Sequence, residues 1–168
     1  MAQASTKLNL GCGQKQLATH VNVDRVAAVK PDVVHDLNVY PYPFPAGQFE
    51  EICAYDVVAF MTELRRLARP DARVLITTPH FSCANAFTDP THQRQLSYFS
   101  FDYFTAGHQW NFYGGDGFVI QKRNLIFSPS LVNRVVGRLA NRFPAAYEHR
   151  WTWIFPAWFL FFEFSVRK

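Results

Sequence analysis

Two glycines one residue apart, Gly11 and Gly13, follow the short apolar run Lys7-Leu8-Asn9-Leu10. Eleven residues after Gly13, Asp24 closes the run Val21-Asn22-Val23, and Asp36 closes Asp32-Val33-Val34-His35. Glycine lets a ligand approach the backbone closely. A carboxylate accepts hydrogen bonds from ribose hydroxyls and from an adenine amino group. The glycine pair alone describes a tight turn as well as it describes a site. Its weight comes from order: Gly, Asp and Asp end three successive strand-like runs, which is the pattern of an adenosine-binding α/β domain.

The same stretch narrows the cofactor. A dinucleotide site uses Gly-x-Gly-x-x-Gly and a helix whose N-terminus faces a pyrophosphate. Here position 16 is Gln, and Gln14 to His20 has room for about two helical turns at most. S-adenosylmethionine carries no phosphate and needs no such helix.

At these residues the chain resembles the class I S-adenosylmethionine-dependent methyltransferases, close to the small bacterial type 11 group. The resemblance runs through Asn9-Leu10-Gly11-Cys12-Gly13, Asn22-Val23-Asp24 and His35-Asp36-Leu37. It continues through Pro43 to Ile52, Phe60 to Pro70 and Arg73 to Pro79, covering roughly the first eighty residues. It implies that Gly11 and Gly13 pass under the methionine part of the cofactor. Asp24 would hold the ribose, and Asp36 with Leu37 would frame the adenine. The implied cofactor set is Asn9, Leu10, Gly11, Cys12, Gly13, Asp24, Arg25, Asp36, Leu37 and Tyr55. Two departures stand out. Asp71-Ala72 replaces the usual double glycine, and Ala59-Phe60 follow Val58 where the family has a loop of about ten residues. Either that connection is short, or this sequence lacks a segment.

A second concentration of chemistry runs from Pro79 to Arg94, with His80, Asp89, His92 and Arg94 among small hydroxyl residues. It leaves the expected fifth strand at the end where open α/β sheets place ligands. Methyl transfer from a sulfonium is largely a matter of positioning, and a hydroxyl acceptor also gains from a base. His92 or His80 could be that base, with Asp89 orienting the ring. Arg94 could clamp an anionic group of the acceptor, and Tyr113 is a further acceptor-side candidate. Asp89-Pro90 is equally a turn or a helix cap. His80, Asp89 and His92 lack a diagnostic metal spacing, so no metal is expected. The Asp89 to Arg94 run is similar to one in small bacterial methyltransferases associated with polysaccharide biosynthesis. The acceptor is therefore read as a small molecule or a glycan, including a lipid-linked sugar. Nucleic acid is disfavoured: Ala54-Tyr55-Asp56-Val57 stands where base-methylating enzymes carry Asn/Asp-Pro-Pro-aromatic. Cys83 reads as a small buried residue.

The elements that must position these groups follow from periodicity. Strands are expected at 7–10, 20–24, 32–36, 50–55, 73–78, 118–127 and within 158–166, and a helix at 59–69. Leu131 to Phe143 reads as an amphipathic helix, with Leu131, Val132, Val135, Val136 and Leu139 in one stripe and Arg134, Arg138 and Arg142 in the opposite one. The fold that the resemblance implies is α/β: a Rossmann-like class I methyltransferase fold with a mostly parallel seven-stranded sheet, helices on both faces and an antiparallel last strand. One domain over 1–168 is expected, with an acceptor-side insertion at about 80–116.

Composition agrees with a globular chain. Of 168 residues, 49% are hydrophobic and 18% charged. An odd number of cysteines, Cys12, Cys53 and Cys83, in no metal-type spacing, reads as reduced thiols. With no signal-type N-terminus, a cytoplasmic location is expected, extending to the inner face of the membrane. Net charge is +4, and the excess lies after residue 120. Trp151 to Phe164 holds much of the aromatic excess. Three readings stay open for it: a buried strand and packing lid, a homodimer face, or a peripheral membrane contact beside the arginines. Two rivals to a methyltransferase follow. One is a catalytically silent cofactor-binding module, favoured by the short connection after Val58. The other is a membrane-surface protein that uses its basic aromatic C-terminal part.

Overall fold

A computed structural model describes residues 5–55, 61–88, 94–106 and 117–168. The elements are β1 (Lys7–Leu10), β2 (Val21–Asp24), β3 (Val33–Val34), β4 (Phe49–Tyr55), α1 (Met61–Leu67), β5 (Ala68–Pro79), α2 (Asn85–Thr88), β6 (Phe118–Ile126), α3 (Leu131–Arg142), α4 (Pro144–Arg150) and β7 (Phe159–Val166). All seven strands form one sheet in the order β3-β2-β1-β4-β5-β7-β6. The first five run parallel, and β7 is antiparallel to β5 and to β6. This is the class I methyltransferase fold, as the sequence led one to expect.

Alternation along the strands sets the core. Residues two apart point to one face. Register then aligns Val23, Leu10, Ala54, Ile76 and Phe162 in one row across five strands. A second row joins Val21, Leu8, Ile52, Val74, Phe164 and Ile120. Phe101 caps these rows, its ring 4.7 Å from Phe162 and 5.5 Å from Phe164. Much of the phenylalanine excess is thereby core. On the other face of the sheet Lys7, Glu51, Arg73 and Glu163 form a chain of ion pairs at 3.3, 3.4 and 2.7 Å.

Several local departures have physical causes. Gln14 to His20 forms turns and no helix, because its backbone is tied down by side chains, as shown below. Asp71 takes φ 59°, a left-handed conformation that explains the glycine usual there and that Asp tolerates better than most residues. Glu63 of α1 accepts from Tyr42 N at 2.7 Å and from Arg66 Nε at 2.8 Å, while Arg66 donates to the carbonyls of Phe44 and Tyr42. This pair pins the long β3–β4 connection to α1. Helix α4 is not among the elements expected from periodicity; Pro144 opens it, where proline suits a first turn.

Candidate cofactor and acceptor site

The carboxyl ends of β1, β2, β4 and β5 share one edge of the sheet, so Gly11 to Gly13, Asp24, Tyr55 and His80 are gathered there by topology. Asp36 follows β3 at the same edge. Gly11 and Gly13 have φ 65° and 46°, which glycine adopts without strain. A Cβ built on Gly13 would meet nothing within 4 Å, so the space over this turn is open.

Asp24 organises the turn. Its Oδ2 accepts from Gly13 N at 2.8 Å and its Oδ1 from Val26 N at 2.9 Å. A carboxylate has about four lone-pair sites, so two more are left for hydroxyl donors. Its neighbour Arg25 is exposed. Asp36 is exposed, and its Oδ1 accepts from the backbone and side-chain nitrogens of Asn38 at 2.9 and 3.0 Å. The Asn38 backbone N–H holds its carboxyl below the usual range, so it is ionised at neutral pH. Leu37 is half-buried against the core, and its carbonyl accepts from Tyr42 Oη at 2.9 Å. Burial, with Asp24 second, pushes the Cys12 thiol up. Cys12 is thus a buried neutral group, offering backbone rather than sulfur.

Asn9 and Leu10, expected on the cofactor side, have wholly buried side chains. Leu10 is core. Asn9 Nδ2 donates to Lys15 O at 2.9 Å and to Asn22 Oδ1 at 2.8 Å. Asn22, absent from the expected set, is the hub. Its Oδ1 also accepts from Leu17 N at 2.9 Å. Its Nδ2 donates to Leu17 O, His20 O and Asp32 Oδ2. The two buried amides thus hold the backbone, Asn9 at Lys15 and Asn22 at Leu17 and His20, in turns in place of a helix. Alternation did not reveal this: Val21 and Val23 take the core face, so Asn22 reads as outward, and it is buried only because the 15–20 turns fold over it. Buried Asn9 Oδ1 has no partner among the described residues.

On the acceptor side His80 is fully buried. Its Nδ1 accepts from Ser82 N at 3.2 Å and lies 2.7 Å from Ser82 Oγ. Nδ1 is therefore unprotonated, and Nε2–H donates to Glu148 Oε1 at 3.0 Å. Glu148 Oε1 also accepts from Tyr98 N at 2.6 Å. Both ring nitrogens of His80, a candidate base in the sequence, are engaged inside the chain. It is a clamp joining the end of β5, Ser82 and, through Glu148 of α4, Tyr98. Glu148 was invisible to sequence reasoning because its partner lies 68 positions away. Arg94 is exposed, two residues before Leu96, whose backbone bridges His80. Asp89, His92 and Tyr113 lie outside the described residues, as does the side chain of Tyr55; its backbone pairs with Thr77.

Among the described residues one cluster combines metal-ligating types: His20, Glu51 and Cys53. His20 Nε2 lies 3.2 Å from Glu51 Oε1 and 3.7 Å from Cys53 Sγ. Lys7 and Arg73 also pair with Glu51, and burial with Glu51 pushes the Cys53 thiol up to about 11. Cations already neutralise the carboxylate and the sulfur stays protonated, so the cluster belongs to the sheet-face ion-pair chain.

No protein-family model and no curated protein matches the chain. Solved structures do match it in fold. An S-adenosylmethionine-dependent methyltransferase from Archaeoglobus fulgidus superposes with TM-score 0.60 at 14% identity, over 95% of this chain and 85% of that one. One from Mesorhizobium loti gives 0.52 at 13%, over 95% and 89%. A 16S rRNA (adenine(1408)-N(1))-methyltransferase from Catenulisporales acidiphilia, solved with S-adenosylmethionine, gives 0.52 at 12%, over 96% and 85%.

Proposed function

We propose that the chain is an S-adenosylmethionine-dependent methyltransferase, acting on a hydroxyl of a small molecule or a glycan. The carrying observation is the Asp24 carboxylate held against Gly13 N at 2.8 Å under open space. It keeps acceptor sites for a ribose diol beside a turn that a ligand can approach. Asp36 adds an ionised acceptor at the adenine end. When bound, the cofactor supplies a methyl group already activated as a sulfonium. The chain then needs to orient two reactants and remove water between them. Arg94 stands on the acceptor side, ready to hold an anionic group. His92 and Asp89 keep the base and orienting roles read from the sequence.

A second reading is favoured by one observation. His80 commits both ring nitrogens to in-chain partners, which suits a module that holds the cofactor without turnover. Calorimetry with S-adenosylmethionine and S-adenosylhomocysteine tests the cofactor site itself. Asp24→Ala is expected to weaken binding by about 1–3 kcal/mol, the cost of losing charged hydrogen bonds. Unchanged affinity would overturn the ribose assignment. Slow cofactor hydrolysis, with no methylated product from a panel of glycan and phenolic hydroxyl acceptors, would favour the silent module.

A further inference from the structure

We infer that the face made by α3, α4 and the turn after α4 docks on an anionic lipid surface. Helix α3 sits against β6 with its small and polar side inward. Asn141 Oδ1 accepts from Leu125 N at 2.8 Å, and its Nδ2 donates to Leu125 O at 2.9 Å. A Cβ on Gly137 would meet the Phe127 ring at 3.1 Å, so glycine permits this close seat. Ser130 caps the helix, its Oγ accepting from Asn133 N at 3.0 Å.

With that side inward, the apolar stripe points to solvent. Leu131 is 77% exposed, and Val132, Val135, Leu139 and Phe143 are each more than half exposed. The stripe continues across an apolar cleft of about 420 Å³, shared by Leu139, Phe143, Tyr147, Trp151 and Phe155. Trp153, 73% exposed, and Ile154 lie in the turn that follows. An exposed apolar surface of this extent marks an interaction site.

Charge selects the partner. Arg134, Arg138 and Arg142 recur every four residues and line one edge of the stripe. Among the described residues no carboxylate forms an ion pair with them. A second copy on this face would bring the two arginine rows together, because a two-fold interface apposes a patch with itself. An anionic headgroup layer neutralises the row instead. Tryptophan suits the boundary below it, where one end of its ring is apolar and the other wet, and phenylalanine packs among the acyl chains. No helix among the described residues is long and apolar enough to cross a membrane, so α3 lies in the plane of the surface. This docking is independent of the cofactor reading: it uses none of Gly13, Asp24 or Asp36.

The test is flotation of the full chain with vesicles of phosphatidylcholine alone, and with vesicles of equal parts phosphatidylcholine and phosphatidylglycerol. The chain is expected to float with the mixed vesicles only, and high salt is expected to release it. Arg134→Gln/Arg138→Gln/Arg142→Gln should weaken that binding about a hundredfold, from the usual contribution of a basic residue near an anionic surface. Val135→Asp/Leu139→Asp should abolish it with the melting temperature unchanged, since both side chains are already in solvent. Equal binding to both vesicle types, or no flotation, would overturn the inference. So would a concentration-dependent dimer in light scattering that the aspartate pair dissolves.

Discussion

The turn between β1 and β2 and the surface of α3 are built in opposite senses. Around the turn, polar side chains face inward onto each other and onto backbone, with Asn22 serving Leu17, His20, Asn9 and Asp32. On α3 the polar Asn133 and Asn141 also face inward, onto Ser128 and Leu125, yet the large apolar residues face out. In the first region most polar groups find their partners inside the chain. In the second, hydrogen bonding to β6 decides how the helix sits, and the apolar stripe is left over. A stripe left over in this way reports on something outside the chain.

Substitutions can break or sharpen that contrast. The largest effect is expected at Asn22→Ala, which strips buried partners from Leu17 N and from Asn9 Nδ2. About 3 kcal/mol of stability should go, judged by the usual cost of orphaned buried donors, and chemical denaturation would measure it. A loss below about 1 kcal/mol would mean the turn is held by other contacts. Asn141→Ala removes the corresponding anchor of α3 from a less buried site. About 1–2 kcal/mol is expected, together with a helix free to roll its apolar stripe toward β6. Hydrogen exchange at Leu125 should rise, and unchanged protection would mean packing rather than the amide seats the helix.

Acid provides a third test, at the Glu63–Arg66 pair that holds the β3–β4 connection to α1. Arg66, with the Tyr42 N–H, holds the Glu63 carboxyl below its ordinary range. A group with a depressed folded pKa contributes stability above its unfolded pKa, and that contribution fades as pH falls through the folded one. Wild-type melting temperature should therefore drop on acidification from neutral pH to about pH 3. Glu63→Gln should lower stability at neutral pH and flatten that acid limb. Curves that stay parallel would remove Glu63 from the account. The smallest effect is expected at Leu139→Ser, within about 0.5 kcal/mol in thermal melts, as for exposed sites in general. A larger loss would mean that the stripe packs within the chain.

Much of the framework was legible beforehand, for a reason that differs by element. Alternation and short apolar runs located all seven strands, because the core rows of a sheet impose period two on each strand. The Gly11, Gly13 and Asp24 trio was legible because its partners lie close in sequence: Gly13 and Asp24 meet across one turn. Asn22 was not legible as a hub, because strand alternation puts it on the face opposite Val21 and Val23. Glu148, α4 and the clamp on His80 were not legible. They depend on contacts between residues far apart along the chain, which composition and spacing do not encode.

By itself, the order of residue types determined the sheet, the glycine turn and the carboxylates at its edge, because each rests on local periodicity or on near neighbours. Only the tertiary structure decided that His80 is a buried clamp, since a carboxylate from α4 reaches its ring. Only the tertiary structure turned the apolar stripe of α3 outward. Amphipathic spacing sets which residues share a helix face, but backbone-bound Asn141 and the close seat at Gly137 choose which face meets the protein.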